Sequence, residues 1–534
     1  LYHTDQSNFD KIPGSPIAYW ITDKVIKDFK NKLLYDFTIC DGQNVSGNNK
    51  KFVRFFWEVS QSKIGIDKKW LFYAKGGGYK KWSGNLVSVV DWSPKTREFY
   101  RKNKICRIIP KYLWYKKGVT WGLITSKIPS FRILPKAATF DKGGSSIFFK
   151  DDSMIEYVLA LLNSKVYLLI AQIMNPTLNF QVKDIRTMPL IIREKNKIEN
   201  ITLDNIKLAN IDWDAFETSW DFQKSPLLNQ NIASLHQAYN SWSNEALTRF
   251  NQLKYNEEEL NRIFINLYGL QDELTPEEDD KEVSVRKADQ VRDIKAFLSY
   301  FIGCVFGRYS LDQDGLVYAG GDWDDSKYTT FKPNKENIIL LTDRQYFDDD
   351  RDIIVRLKEF LTKTFDPETL TENMDFIAQT LEPKKFERGT SAEDIIRTYF
   401  LNDFYKDHAK IYQKRPIYWE FNSGKNKGFK ALMYLHRYNT EQLPMVRHYL
   451  HELQPAMNDL IEVDQNLLDQ ETTASAKSKY RKAIATLNKQ MNEIMKYDQI
   501  LDHLSQNPVD LDLDDGVLVN HDKLQQGEKL LSKL

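Results

Sequence analysis

The segment Lys75–Trp82 combines three kinds of residue that suit contact with a phosphate backbone. It reads Lys-Gly-Gly-Gly-Tyr-Lys-Lys-Trp. Glycine lets the main chain approach a phosphate closely because it carries no side chain. The lysines would add positive charge, and the two aromatic rings would offer faces to bases or sugars. The segment therefore predicts a contact with a polyanion.

Positive charge is concentrated around this segment. Between Lys50 and Lys136 the sequence holds 21 Lys and Arg but only four acidic residues, a surplus of +17, whereas the whole chain carries +1. Six of the twelve tryptophans fall in the same stretch. Phosphates attract Lys and Arg and release counterions, so nucleic acid is the first partner to expect. Charge alone does not exclude RNA, although the stretch lacks the RNP-type aromatic pattern.

The candidate DNA contacts are residues that could neutralise phosphates, stack on bases or let the main chain approach. In the basic stretch they are Lys50, Lys51, Arg54, Lys75, Gly77, Tyr79, Lys80, Lys81, Trp82, Arg97, Arg101, Lys104, Lys116, Lys117, Trp121, Lys127 and Arg132. A smaller basic group, which faces only Glu420, is a second candidate phosphate site. It comprises Lys414, Arg415, Lys425, Lys427 and Lys430.

An ordinary β domain is the competing explanation for the first group. Lysines at sheet edges block strand-to-strand aggregation, and the tryptophans would then belong to the core. We expect most of the six tryptophans to be buried. Edge lysines alone do not account for a surplus of 17 over 87 residues, so polyanion binding is favoured.

Catalytic and metal-binding patterns are not found in the sequence. No Walker loop follows the glycines, and no carboxylate cluster of a nuclease or set of metal ligands is evident. Asn175-Pro176 is followed by Thr177-Leu178, whereas adenine methyltransferases use Asn-Pro-Pro-Tyr or Asn-Pro-Pro-Phe to hold the flipped base. We therefore expect no catalytic residues, no metal and no bound cofactor, and this chain alone should be inactive as a methyltransferase.

The pattern of apolar, polar and turn residues along the chain predicts an α+β protein of several domains. Short β-rich runs separated by turn residues fill the region from about residue 35 to 149, at Phe52–Val59, Trp70–Tyr73, Leu86–Val90, Cys106–Ile109 and Ser146–Phe149. Apolar residues at helical spacing predict helices over Ile21–Leu34, Met154–Met174 and Val291–Val305. Two apolar stripes between Pro444 and Leu504 predict an antiparallel helical hairpin or coiled coil, with its connection at Gln470–Ser478.

These changes in residue pattern divide the sequence into five segments. Residues 1–34 form a linker helix, 35–192 a mostly β domain, and 193–345 a mixed helical connector. Residues 346–443 form a helical domain with the second basic group, and 444–534 the helical hairpin with an acidic tail. Three scattered cysteines, no apolar run long enough for a membrane span and no signal peptide predict a cytoplasmic protein without a membrane partner.

Several stretches carry a resemblance to a known family. They include Gly42–Arg54, Tyr73–Asn85, Asn175–Val182, Asp212–Phe222, Lys414–Trp419 and Gly428–Leu432. Their order resembles the C-terminal half of the PglX-type adenine-specific (N6) DNA methyltransferases of BREX phage-defence systems, which are related to single-chain type II restriction–modification enzymes. In that family the N-terminal half binds S-adenosylmethionine and carries the catalytic motif. This chain would start just after that half, with Ser15–Trp20 as the tail of the methyltransferase domain.

The resemblance implies a role and partners. Residues 35–192 would be the target recognition domain that reads double-stranded DNA. Other BREX defence proteins, and a phage inhibitor that mimics the charge of DNA, are further expected partners. Two alternatives stay open: a fragment of a restriction–modification nuclease, which would need a magnesium-binding carboxylate set, and a protein-interaction scaffold that docks defence subunits through residues 444–534.

Overall fold

The computed structural model describes residues 23–125, 128–175, 179–228 and 232–534. The predicted contact Lys127, the stretch Ser15–Trp20 and residues 176–178 of the Asn-Pro motif lie outside the described residues. The chain divides into two compact units. The first takes the described residues as far as Phe56, then Lys63–Asp221 and Ser243–Ala288; the second takes Trp57–Ser62, Phe222–Trp242 and Asp289–Leu534.

The strands are short and most of them belong to the first unit. They are β1 (Thr38–Ile39), β2 (Val53–Phe55), β3 (Trp70–Ala74), β4 (Ser88–Asp91), β5 (Gly118–Trp121), β6 (Phe131–Leu134), β7 (Ala138–Phe140), β8 (Ser146–Phe149), β9 (Ile339–Leu340), β10 (Tyr418–Asn422) and β11 (Lys430–Tyr434). The first unit has one sheet in the order β1-β8-β5-β6 and another in the order β2-β4-β3-β7. The second unit has the sheet β10-β11-β9.

Helices occur along the whole described chain. They are α1 (Asp23–Asp28), α2 (Leu34–Phe37), α3 (Asn49–Phe52), α4 (Pro94–Lys102), α5 (Ile155–Leu162), α6 (Lys165–Met174), α7 (Val182–Arg186), α8 (Lys195–Trp213), α9 (Leu235–Tyr268), α10 (Gln290–Val305), α11 (Ile353–Thr364), α12 (Leu370–Leu381), α13 (Pro383–Glu387), α14 (Ala392–Asn402), α15 (Phe404–Ile411), α16 (Gln442–Gln470), α17 (Ala474–Gln506) and α18 (Gly516–Gln525). Mixed helix and strand content is thus confirmed, while the predicted domain boundaries stay a prediction.

Helices α5 and α6 form much of the core of the first unit. Val158, Leu161 and Ile170 are among their buried residues, and they pack with residues of β5, β6 and β8. The predicted single helix over Met154–Met174 is broken at Asn163, because the Ser164 hydroxyl caps a new helix by accepting the Tyr167 N–H. Among the described residues no single helix is long and apolar enough to cross a membrane, although the α5–α6 pair, bent by 78°, meets the length and composition criteria together.

Helix α4 replaces a predicted turn. Ser93-Pro94 marks the N-terminus of this helix, since the Ser93 hydroxyl accepts the Thr96 N–H and Pro94 occupies the first helical turn. The strand predicted at Cys106–Ile109 is wrong, because within it only Arg107 forms a β-bridge, with Val45. Helix α4 and this segment enclose a small core that includes Phe52, Trp92 and Tyr100.

The predicted helical hairpin is present in the second unit as α16 and α17. The Arg447 guanidinium lies 2.7 Å from Asp498 and also pairs with Asp502, so the helices run antiparallel. Leu450 and Ile494 are among the buried residues of the predicted stripes. The connection is shorter than predicted, because α17 already begins at Ala474, where the small and basic residues are good helix formers.

Candidate nucleic-acid interface

The tryptophans of the basic stretch are mainly core residues, as expected. Trp57, Trp70, Trp82, Trp92 and Trp121 are buried, and Trp114 is partly buried. Trp121 donates its indole N–H to the Phe180 carbonyl at 2.8 Å. The predicted contacts Trp82 and Trp121 are therefore corrected to structural residues, because neither ring has a face open to a base.

Lys80 is likewise corrected to a structural residue. Its side chain is buried, and its Nζ lies 2.6 Å from Oδ2 of Asp212 and 2.8 Å from the Ser284 carbonyl. Arg286 pairs with the same carboxylate at 3.1 Å. Burial by itself would raise the pKa of Asp212, but Arg286 and Lys80 outweigh burial and hold it below its usual value. The Lys80 charge is thus neutralised inside the protein.

Lys81 lies in a second buried ion-pair group. Its Nζ is 3.0 Å from Oε2 of Glu257 and 3.8 Å from Oε1 of Glu278, and the Trp82 indole donates to Oε1 of Glu257 at 2.6 Å. Burial alone would lower the pKa of Lys81, whereas Glu257 and the groups around it raise it above its usual value. Lys81 stays charged but does not reach solvent, so its predicted role as a phosphate contact is corrected.

Arg132 completes the internal support of the glycine-rich segment. It is buried and donates to the Gly76 carbonyl at 2.5 Å and to the Lys80 carbonyl at 3.5 Å. Burial lowers the pKa of Arg132 to about 10. Gly76 has a φ of +86°, and a Cβ there would lie 2.7 Å from the Gly143 carbonyl, so the turn requires glycine. Arg132 is therefore a structural residue and not a phosphate contact.

The tip of the glycine-rich segment remains at the surface. Gly77 and Gly78 are exposed, and Tyr79 is 37% exposed with its hydroxyl donating to the Glu282 carbonyl at 2.8 Å. They line a cavity of about 460 Å³ together with Ile124, Ser130 and others. Among the candidates of this segment, Gly77 and Tyr79 are the ones that a ligand could reach directly.

Two further candidates are partly committed to carboxylates. The Nζ of Lys75 lies 2.5 Å from Oδ2 of Asp141, and the Nζ of Lys117 lies 2.6 Å from Oε1 of Glu156. Both lysines are partly exposed, as is Lys116. Pairing with a carboxylate weakens a phosphate contact because the bound lysine must first leave its partner.

Five candidates lie in α3, in α4 or just after α4, and we call this set the α3–α4 surface: Lys50, Lys51, Arg97, Arg101 and Lys104. Arg97 is half-buried and the other four are exposed. The aromatic rings beneath them position two of the side chains: the guanidinium of Arg97 lies 4.8 Å from the Trp114 ring centroid, and that of Arg101 lies 5.7 Å from it.

Contacts between α3 and α4 bring the two halves of this surface together. The rings of Phe52 and Phe99 have centroids 5.3 Å apart, and the Nζ of Lys51 lies 5.1 Å from the Phe52 ring. Gly47, just before α3, packs so closely on Ile105 and Cys106 that a Cβ would lie 2.7 Å from the Cys106 Sγ. Lys51 therefore lies beside α4, with its Nζ 5.9 Å from the Phe99 ring, whereas Arg97 and Arg101 lie on the side of α4 that faces Trp114.

Arg54 lies next to this surface and is held by the main chain. It donates to the carbonyls of Lys50 and Val53, both at 2.8 Å, and its guanidinium is 5.9 Å from the Trp70 ring. Aromatic support and main-chain hydrogen bonds reduce the number of conformations that the long side chain can adopt. Arg54 is thus ordered before any ligand arrives.

The second basic group divides into exposed and internal members. Lys414 and Lys425 are exposed. The Nε of Arg415 lies 3.8 Å from Oε1 of Glu58. Lys430 is buried, with its Nζ 2.8 Å from Oε1 of Glu420 and 3.0 Å from the Leu401 carbonyl. Lys430 is therefore corrected to a structural residue.

The partners of the buried Lys80 and Lys81 could not be named from sequence. Asp212, Glu257, Glu278 and Arg286 lie more than 130 residues after Lys80 and Lys81, and no local pattern links them. Within the described part of the chain, no group of three or more His, Cys, Asp or Glu is arranged to hold a metal ion. The nuclease alternative therefore gains no support from the described residues.

Comparison with known proteins gives two clear similarities. No protein-family model matches the chain. The adenine-specific methyltransferase PglX of Lacticaseibacillus casei is 46% identical over 560 aligned positions, which cover 100% of this chain and 46% of that protein. The adenine-specific methyltransferase BrxX of Escherichia coli is 34% identical over 558 positions, which cover 98% of this chain and 45% of that protein. The chain is thus similar from end to end to adenine-specific methyltransferases, and it spans a little under half the length of the curated relatives it matches.

Proposed function

We propose that this chain binds double-stranded DNA and supplies target recognition to an adenine-N6 DNA methyltransferase of a BREX-type phage-defence system. Residues 35–192 would form the target recognition domain. The S-adenosylmethionine site and the catalytic motif would belong to a part of the relatives that this chain does not cover, so the chain alone transfers no methyl group. The end-to-end similarity to two adenine-specific methyltransferases supports this assignment.

The α3–α4 surface is the observation that carries the proposal. Its five basic side chains lie in, or directly after, two helices of the first unit that contact each other through Phe52 and Phe99, and the acid on α4, Glu98, is paired with Lys102 at 2.6 Å. Lysines would neutralise phosphates, while Arg97 and Arg101 present planar forks that can bind phosphate or guanine edges. Binding to such a surface should depend strongly on salt because each phosphate contact releases counterions.

A binding experiment with a matched control tests this proposal. The triple variant Lys50→Gln, Lys51→Gln, Lys104→Gln removes three exposed charges from the α3–α4 surface. The control triple Lys32→Gln, Lys183→Gln, Lys207→Gln removes three exposed charges elsewhere in the same unit. Affinity for duplex DNA would be measured by fluorescence anisotropy between about 50 and 200 mM salt.

The proposal makes a numerical forecast for these variants. The slope of log affinity against log salt should become shallower by about 2 to 3 in the surface variant, since each phosphate contact contributes about 0.9. The control variant should keep the slope of the unaltered chain. Equal slopes in both variants, or no binding of duplex by the unaltered chain, would contradict the proposal.

The other expected partners stay predictions. A protein that mimics the charge of DNA would bind the α3–α4 surface and compete with duplex, so the same triple variant should weaken both ligands. Defence subunits would instead dock on the α16–α17 hairpin, where Val463 and Met495 expose apolar side chains. Deletion of the hairpin in a pull-down assay separates the two kinds of contact.

A further inference from the structure

We propose that a lysine-lined cleft in the second unit is an additional binding surface for the sugar–phosphate backbone of duplex DNA. This inference rests on the proposed function, because it assigns a second contact to the same ligand. The cleft has a volume of about 560 Å³, and four of its eight lining residues are lysines: Lys406, Lys410, Lys414 and Lys533. None of the eight is acidic. We call it the lysine cleft.

Helix α15 supplies two of the four charges. Lys406 and Lys410 are exposed and lie one turn apart, roughly 6 Å along the helix axis. The acids of the helix and its cap are already engaged: Asp403 lies 3.2 Å from Lys406, and Asp407 lies 2.8 Å from Lys295. No acidic side chain among the residues that line the cleft competes with a phosphate for Lys410.

The turn after α15 fixes the third charge. Gln413 and Lys414 both have left-handed backbone, with φ of 52° and 59°, a conformation that side chains other than glycine rarely adopt. The Lys414 N–H donates to the Ala409 carbonyl at 2.7 Å. The buried His408 ring accepts the N–H groups of Ile417 and Tyr418, each at 3.1 Å, and so anchors the chain that follows. This left-handed pair closes the C-terminus of α15 and holds Lys414 at that end of the helix.

The end of the chain supplies the fourth charge from far away in sequence. The Ser532 N–H donates to the Glu420 carbonyl at 2.8 Å, and its hydroxyl donates to Oε1 of Glu420 at 2.6 Å. The Tyr405 hydroxyl donates to the Ser532 carbonyl at 3.3 Å. These bonds hold Lys533 beside α15, more than 120 residues from Lys410.

The chemistry of the cleft favours an extended polyanion over a small phosphate ligand. Small phosphate groups are gripped by arginine forks or by converging main-chain N–H groups, and no arginine lines this cleft. Lysines act as separate point charges on long stems and can each follow a different phosphate. A row of such charges matches the sugar–phosphate backbone, which carries charge at regular intervals along its axis.

The test uses the full chain and three matched variants. The cleft triple is Lys410→Gln, Lys414→Gln, Lys533→Gln. The control triple, Lys363→Gln, Lys384→Gln, Lys482→Gln, removes three exposed charges that are scattered over α11, α13 and α17 of the same unit. The α3–α4 triple described above is the third variant. All four proteins are titrated with one duplex at several salt concentrations, and their thermal unfolding is recorded to confirm equal folding.

We expect the cleft triple to lower the salt slope by about 2 to 3 relative to the control triple, with unchanged unfolding temperature because all three side chains are exposed. The cleft proposal is overturned, and the proposed function stands, if the cleft triple has the same salt slope as the control triple while the α3–α4 triple has a shallower one. If the unaltered chain does not bind duplex DNA, both the cleft proposal and the proposed function are contradicted. A cleft triple that unfolds earlier than the control would show that these lysines serve the fold, and would also overturn the proposal.

Discussion

The Nζ of Lys81 lies 3.0 Å from Oε2 of Glu257, although 176 residues separate them in sequence. This pair joins the glycine-rich segment to helix α9 within the first unit, and Glu278 and Trp82 complete its surroundings. Lys81 belongs to the basic stretch that predicts DNA binding, yet its partner is a carboxylate inside the protein.

The change Lys81→Met should destabilise the protein strongly. It would leave Glu257 and Glu278 buried without their cation, and breaking such a pair from one side costs about 3–5 kcal/mol. Urea unfolding followed by circular dichroism measures the loss. The exposed Lys136→Met should change the unfolding free energy by less than about 0.5 kcal/mol. A Lys81 variant of normal stability that loses DNA affinity would restore Lys81 as a phosphate contact.

The unfolding free energy should fall as the pH is lowered from about 6.5 towards 3. Burial, reinforced by the Arg308 guanidinium, lowers the pKa of His408 and of His436 to about 3 each. The unfolded chain takes up protons on these rings below its ordinary pKa near 6.5, whereas the folded protein does so only near pH 3, so acid favours unfolding. Each ring can add a slope of up to ~1.4 kcal/mol per pH unit.

Urea unfolding at a series of pH values checks this dependence. The variant His436→Gln should have a shallower slope between about pH 6 and 4, because its buried ring no longer titrates. The variant His448→Gln should keep the slope of the unaltered chain, since the His448 side chain is 60% exposed. Identical slopes for all three proteins would mean that the buried histidines do not govern acid unfolding.

The change Gly76→Ala should disturb the glycine-rich segment, whereas Gly78→Ala should not. At Gly76 the backbone is left-handed and a Cβ would meet the Gly143 carbonyl at 2.7 Å; at Gly78 nothing lies within 4 Å. We expect a loss of more than about 1 kcal/mol for the first variant and less than about 0.5 kcal/mol for the second. Thermal unfolding of the two variants measures this difference. Equal unfolding temperatures would contradict the close packing of Gly76 against the Gly143 carbonyl.

The helical hairpin offers a test on neighbouring residues. Ile494→Ala should destabilise the second unit by about 2–5 kcal/mol, because Ile494 of α17 is fully buried in a core that includes residues of α16 and β11, and its truncation leaves a cavity. Met495→Ala, at a position 60% exposed, should have little effect. Chemical unfolding monitored by circular dichroism measures both, and a similar loss at the two positions would contradict the assigned packing.

Periodicity predicted several of the helices. The stripes of α16 and α17 and the apolar face of α10 follow from spacing alone, although Val291 at the start of α10 is 47% exposed. Helix α4 could not be separated from a turn, since Ser93-Pro94 begins either. Strands β5, β6 and β7, of three or four residues each, were not predicted, although β8 of similar length was.

The contact residues were harder to predict than the fold, because charge in a sequence does not report burial. Lys50 and Lys51 proved exposed, while Lys80 and Lys81 proved internal, and both pairs are adjacent lysines next to an aromatic residue. Only the position of the partner carboxylates distinguishes them, and those lie far away in the chain. The lysine cleft was missed for the same reason, since Lys533 joins α15 through tertiary contacts.

The ion pairs of Lys80 and Lys81 limit how this protein could exchange parts with its relatives. A segment is most simply exchanged between related proteins when its internal contacts lie within one uninterrupted piece of chain. Here residues 193–221 and 243–288 hold the carboxylates that neutralise the glycine-rich segment. A chimaera that imported only residues 35–192 would bring lysines without matching acids, so productive swaps should transfer the later segments together with the earlier one.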